Sequence, residues 1–324
     1  MIGKPQLSFR EDGTFRVLHL TDIQESVYPK KDTIRLLNAL LDTTKPDLVI
    51  LTGDQLKGYS FLFHLLGTSS VKKTIHTLLS PMEDRNIFYA VTFGNHDFQS
   101  GLSNEEQADI YRNYPHCICP NEGPCAGTFH LSVCQNDGTE KLRFYLLDSG
   151  NVCKHGVYAP PSDEVLNWLK TMLFDAQNHP VSVSSVVFQH IPLPEYHKCK
   201  NVVLKESVCS PRINAGEFEL LRANQNVMSV FCGHDHKNDF FGKVDGISLG
   251  YTPSCGFSSY GPGTDRGGRL ITFHEDTPMT FETKLLRYCD LIARHTHNRL
   301  KEYCDAHIPT CWPNREIQNT MEKK

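Results

Sequence analysis

Phe93-Gly94-Asn95-His96-Asp97 follows an apolar run, Ile87 to Val91, that reads as a buried strand. An amide, an imidazole and a carboxylate leave the end of that strand in three consecutive residues, directly after a glycine. Such crowding of polar groups is poor packing chemistry and good site chemistry. Taken alone, Gly-Asn is also ordinary turn chemistry. What gives the stretch weight is that other strand ends carry matching groups.

Upstream, Phe15 to Leu20 reads as a strand, and Thr21-Asp22-Ile23-Gln24 follows it. Asp32 to Leu41 places apolar residues at 34, 36, 37, 40 and 41, a helical spacing with Asp32 or Thr33 as cap. Leu48 to Thr52 is a continuous apolar strand ending in Gly53-Asp54. A helix is expected up to Leu79, stopped by Pro81. Strand, helix, strand, helix, strand, with a polar group after each strand, is the pattern of a parallel sheet with its site at the carboxyl edge.

Downstream, Ser103 to Tyr111 reads as a helix. Thr128 to Val133 and Leu142 to Leu147 read as strands joined at Asp137-Gly138. Ser162 caps a helix carrying Val165, Leu166, Trp168, Leu169, Met172 and Leu173. Val183 to Phe188 ends at Gln189-His190, and Asn226 to Phe231 runs into Gly233-His234-Asp235-His236. Short strands follow around Phe240, Ile247, Leu270 and Phe281, and the tail from Tyr288 reads as helical, then irregular. No repeat or linker divides the chain, so one domain is expected over 1–324, with a core about 15–285 and a cysteine-bearing tail at 288–324.

The chain has 324 residues, 39% hydrophobic and 22% charged, with a net charge of −4. That provides no basic field for nucleic acid. No run approaches the ~18 apolar residues of a membrane span. Residues 1–16 are polar and mixed and do not read as a signal peptide, although a leader could have preceded them. Twelve cysteines, bunched in loop-like regions, lean towards disulfides and a secreted or endolysosomal setting. The absence of any Asn-x-Ser/Thr sequon leans towards the cytoplasm. Oligomeric state is left open.

Five strand ends thus carry groups able to hold metal: Asp22, Asp54, Asn95, His190, and the pair His234 and His236. Carboxylate and imidazole together suit Fe, Mn or Zn. Each residue singly has a bland explanation as a turn or core residue. Five coincidences at the same end of successive apolar runs do not. One aspartate can bridge two cations ~3.5–4 Å apart, the spacing of two-metal hydrolysis.

Asp22-x-Gln24, Gly53-Asp54, Gly94-Asn95-His96-Asp97, His190 and Gly233-His234-x-His236 resemble the five ordered motifs of the calcineurin-like metallophosphoesterases. Gly233 to Phe240 and Tyr260 to Arg269 resemble the small branch related to purple acid phosphatases. The resemblance implies an α/β four-layer αββα sandwich, two mixed sheets face to face with helices outside. It implies a dinuclear centre: Asp54 bridging, Asp22 and His236 completing one site, Asn95, His190 and His234 the other. His96 would protonate the leaving group and Asp97 would orient its imidazole. A metal-activated hydroxide would attack phosphorus in line.

The family's first motif is mostly Asp-x-His, and here the second position is Gln24. Purple acid phosphatases use the tyrosine of Gly-Asp-x-x-Tyr, and here Lys57 stands three past Asp54, with Tyr59 five past. Gln24 could ligate through its amide oxygen, or Tyr59 could reach in. A weaker first metal and no purple colour are expected. Arg266 and Arg269 are candidate phosphate binders, against the alternative of solvated loop charges. The expected activity is hydrolysis of a phosphomonoester, on a phosphorylated small molecule or a phosphoprotein (an acid or protein Ser/Thr phosphatase). The rivals are a phosphodiesterase acting on cyclic nucleotides or phospholipid head groups, and a metal-binding scaffold with little turnover.

Overall fold

Unbroken apolar runs bounded by Gly, Pro and Asp favour short strands buried on both faces, and the computed structural model shows this for residues 5–151 and 158–307. In chain order the elements are β1 (Leu7–Ser8), β2 (Thr14–Leu20), α1 (Lys31–Thr44), β3 (Leu48–Thr52), α2 (Phe61–Leu66), α3 (Thr68–Glu83), β4 (Phe88–Thr92) and α4 (Asn104–Arg112). Next come β5 (Phe129–Cys134), β6 (Glu140–Leu147), α5 (Asp163–Leu173), β7 (Ser184–Gln189), α6 (Glu217–Ala223), β8 (Val227–Cys232), β9 (Phe241–Val244) and β10 (Ile247–Tyr251). The described chain closes with β11 (Gly267–His274), β12 (Phe281–Arg287), α7 (Tyr288–Leu291) and α8 (Arg299–His307).

The strands form two mixed sheets, in the orders β12-β11-β2-β3-β4 and β1-β5-β6-β7-β8-β10-β9. In the smaller sheet β2, β3 and β4 run parallel, and β11 and β12 are antiparallel additions. In the larger, β6, β7, β8 and β10 run parallel. The sheets meet face to face. Thr92 of β4 donates its hydroxyl to the Leu147 carbonyl of β6, and the His19 ring of β2 packs edge-on to Phe188 and Phe231. One apolar core fills this interface and continues to α1 and α3 on the outer face of the small sheet. A second joins α5 and α6 to the outer face of the large sheet. Each fully buried leucine there, such as Leu36 or Leu169, contributes about 1.5–3 kcal/mol before entropy is counted. Helices therefore cover both outer faces, as expected of an αββα sandwich.

Several local expectations need correction. Helix α1 starts from Lys30 with no side-chain cap. Asp32 instead accepts from the Tyr288 hydroxyl, and Thr33 donates to Glu25. Pro81 does not stop α3, which runs on to Glu83. It lies in the last turn, so the helix ends two residues beyond it and not at it. Ser162 does cap α5, accepting from the Val165 amide. Among the described residues no disulfide is formed. Most of these cysteines are packed as small apolar groups: Cys119, Cys232 and Cys255 are buried, and the Cys119 sulfur accepts from the Val91 amide. Cys153, Cys311 and the tail beyond 307 lie outside the described residues.

Candidate metal centre

The parallel strands of both sheets end at one edge, so their following loops converge there. Backbone bonds zip these loops together: Asp22 N donates to Gly53 O, Gln24 N to Asp54 O, and Gly233 N to His190 O. The convergence forces unusual backbone. Asp22, Gln24, Asp54 and His234 all have positive φ, at 50°, 38°, 50° and 75°. Strain of this kind costs on the order of 1–3 kcal/mol per residue and persists where surrounding bonds over-determine it. Two glycines permit the close approach. A Cβ on Gly94 would lie 2.2 Å from Asp54 Oδ1, and one on Gly233 2.4 Å from Asp22 Oδ2.

The side chains meet in two groups. Asp22, Asp54 and His236 offer ligand atoms all within 4.8 Å of one another. Beside them, His190 Nε2 lies 3.2 Å from Asn95 Oδ1, 3.3 Å from His234 Nδ1 and 3.4 Å from Asp54 Oδ2. Asp54 belongs to both groups. The ring orientations are set from behind. His190 Nδ1 donates to the Thr52 carbonyl at 2.8 Å and His236 Nδ1 to the Tyr260 carbonyl at 2.7 Å, which turns both Nε2 atoms inward. The His236 ring also stacks on Tyr260, 4.1 Å away.

This donor set fits cations. Asp22 Oδ1 is buried without a hydrogen-bond donor, 3.3 Å from His236 Nε2. His190 and His234 present ring nitrogens to each other, an arrangement that a positive charge between them would relieve. The electrostatics of the cluster point the same way. Burial works against charge on His190, yet Asp54 and Asp22 raise it to about 10. Burial and the neighbouring His190 push His234 down to about 3. Asp22 and Asp54 are held below the carboxylate range, because their histidines outweigh the burial that would raise them. The pocket holds positive charge against two carboxylates, the role a bound cation would take over.

Not every expected residue sits as its motif implied. Asp97 does not meet the His96 ring. Its carboxylate accepts the amides of Asp54 and Gly94 at 2.8 Å and of Leu56 at 3.0 Å. It therefore ties the Gly53-Asp54 loop to the Gly94-Asn95 loop. The His96 ring is instead oriented by Gln99, whose Oε1 lies 2.9 Å from His96 Nδ1. The three-residue spacing on a 3-10 turn was the available signal for Gln99. Gln24 donates its amide to Asp54 Oδ2 at 2.6 Å, and its oxygen faces the Tyr59 hydroxyl at 3.4 Å. Tyr59 also lies edge-on to His96, ring centroids 4.7 Å apart, so it sits at the cleft rim.

Arg266 and Arg269 are placed elsewhere. Both are buried and hold backbone carbonyls: Arg266 those of Gly256 and Ser259 in a loop, Arg269 those of Tyr251 at the end of β10 and of Asp239. They brace the loops behind His236 and do not face the metal-binding side chains. Asp235 is buried and accepts from the Tyr251 hydroxyl and the Cys209 amide. His19 bridges the hydroxyls of Thr52 and Thr252 between the sheets.

Comparison with known proteins agrees with this geometry. A family model described as calcineurin-like phosphoesterase matches residues 15–238, more than half of the chain. The chain is 29% identical to "Probable inactive purple acid phosphatase 14" of Arabidopsis thaliana, covering 80% of this chain and 75% of that one. It is 28% identical to "Phosphatase DCR2" of Saccharomyces cerevisiae, covering 81% of this chain and 50% of that one. Among solved structures, a dimetal phosphatase from Danio rerio superposes with a TM-score of 0.60 at 14% identity, covering 84% of this chain and 96% of that one. With two mixed sheets, helices on both faces and this cluster at the strand ends, the chain belongs to the calcineurin-like phosphoesterase family.

Proposed function

We propose that the protein is a metal-dependent phosphomonoesterase. The observation that carries this reading is a cluster of six metal-type ligands with the Asp54 carboxylate shared between its two groups, beside a fixed imidazole at its rim. Asp22, Asp54 and His236 would hold one cation, and Asp54, Asn95, His190 and His234 a second. Bound there, cations supply charge to stabilise the phosphoryl oxygens and acidify a water.

The chain's own residues divide the remaining work. Asp97 fixes the two loops that deliver Asp54 and Asn95. Thr52 and Tyr260 carbonyls fix the ring faces of His190 and His236. Gln99 accepts at His96 Nδ1, so that nitrogen carries a proton and Nε2 is left for substrate. In the imidazolium form Nε2–H donates to the leaving oxygen as its bond to phosphorus breaks. His96 is only partly buried, so it can meet an ester that enters from solvent.

The test is His96→Ala. Turnover of an aryl phosphomonoester should fall by about 100-fold or more while metal content stays at the wild-type level. Unchanged turnover would remove His96 as the acid, and faster hydrolysis of diesters than monoesters would favour the phosphodiesterase.

A second reading is a metal-holding scaffold with little turnover. The Gln24 amide favours it, because it occupies Asp54 Oδ2 and offers a hydrogen where the wider family has an imidazole. Several relatives carry "probable inactive" in their names.

A further inference from the structure

The rim of the cleft carries a large apolar surface that the phosphoesterase reading does not use. Phe61 is 71% exposed and Leu65 63%, both on α2, and Leu62 and Leu66 beside them are also exposed. Tyr28 is 69% exposed and Phe98 41%. These residues come from three loops that adjoin. The hydroxyls of Ser26 and Ser60 lie 2.8 Å apart, and Glu25 and Leu56 form a parallel bridge. Gly58 packs against the backbone of His96 and Ser100 so closely that a Cβ would not fit. Tyr59, between Gly58 and α2, reaches the His96 ring. The patch is therefore continuous with the edge of the metal cleft. Exposed apolar surface of this kind marks an interaction site.

Its charge surroundings select the partner. The net charge of the chain is −4, and exposed Glu105 and Glu106 follow Phe98, yet residues 26–31 and 55–82, bounded by Glu25, Asp32, Asp54 and Glu83, contain no aspartate or glutamate. They contain Lys30, Lys31, Lys57, Lys72 and Lys73, and all of these but Lys57 are exposed. On α2 and at Tyr28, exposed phenylalanine, tyrosine and leucine in segments that carry lysines and no acids are the composition of a surface that enters the headgroup layer of an anionic bilayer. The described residues contain no helix long and apolar enough to cross a membrane, so such contact would be peripheral.

We propose that α2 and the loops around Tyr28 and Phe98 form a docking surface for an anionic lipid bilayer, with the cleft held open at the membrane face. The proposal stands on exposure and charge and does not depend on turnover.

The test is co-sedimentation of the full chain with vesicles of phosphatidylcholine alone and with about 30% phosphatidylserine. Wild-type protein should bind the serine-containing vesicles and release in about 0.5 M salt. Phe61→Ser with Leu65→Ser, and separately Lys72→Glu with Lys73→Glu, should each weaken binding at least about tenfold. Circular dichroism and metal content should match wild type, which excludes misfolding as the cause. No binding to either vesicle, or binding that both double variants retain, would overturn the proposal. So would a concentration-dependent dimer that the Phe61/Leu65 pair abolishes, because the patch would then belong to a second copy of the chain.

Discussion

Asp97 separates two accounts of the Gly94-Asn95-His96-Asp97 stretch. If it orients the His96 ring, Asp97→Asn should lower turnover and leave stability alone. The structure places its carboxylate on three backbone amides, two at Oδ2 and one at Oδ1. An asparagine retains one oxygen. With that oxygen at the Oδ2 position it keeps the bonds from Asp54 and Gly94 and sets its own NH2 against the Leu56 amide. Burial and the neighbouring Asp54 raise the Asp97 carboxyl to about 7, so above that pH these are hydrogen bonds to a charged group, each worth about 1.5–3 kcal/mol, and losing one while weakening two amounts to about 3 kcal/mol. Asp97→Ala loses all three and should cost about 5 kcal/mol. For a chain of this size, thermal unfolding of the metal-free protein should fall by roughly 5 °C for Asn and more for Ala. Metal affinity should fall too, because the Asp54 and Asn95 loops lose their tie. The assay is calorimetry on the chelated protein with elemental analysis of the reloaded one. An unchanged melting temperature with full metal and slow turnover would refute the loop-tie role and restore the orienting one.

Two further outcomes follow from the geometry. Gly94→Ala puts a Cβ 2.2 Å from Asp54 Oδ1, so elemental analysis should show a chain that folds but loses metal, and wild-type occupancy would contradict the close packing. Burial and Glu195 raise the Glu217 carboxyl to about 8, above its unfolded value, with a bond from Gln189 acting the other way. The folded state then keeps a proton that the unfolded chain releases, so stability falls as pH rises from about 4.5 to about 8 and is flat above. Glu217→Gln should remove that slope and gain a few kcal/mol over wild type at pH 8 in urea unfolding, whereas parallel pH profiles would count against it.

Much of the site was legible because each apolar run stops abruptly at a polar group. Leu48–Thr52 stops at Gly53-Asp54 and Val227–Cys232 at Gly233-His234, and the turn chemistry that explains either one alone does not explain the series. Parallel strands then bring their ends to one edge, so order along the chain became proximity in space. Roles that depend on backbone contact were not legible. The amides that Asp97 accepts at Asp54 and Leu56 come from a loop 41–43 residues earlier, and no spacing rule reports that. Arg266 and Arg269 sit in a Gly-rich stretch that suggests phosphate, yet backbone carbonyls take their guanidinium groups. The cysteines misled for a related reason. Bunching in sequence suggested bridges, while Cys232 and Cys255 are buried among apolar side chains.

The most direct test is to strip the protein with chelator, add back Mn, Fe or Zn stepwise, and follow elemental content together with hydrolysis of an aryl phosphomonoester. The account predicts binding that saturates at about two ions per chain, with turnover appearing as the centre fills. Saturation at two ions with hydrolysis no faster than in the protein-free control would contradict it and leave the scaffold reading.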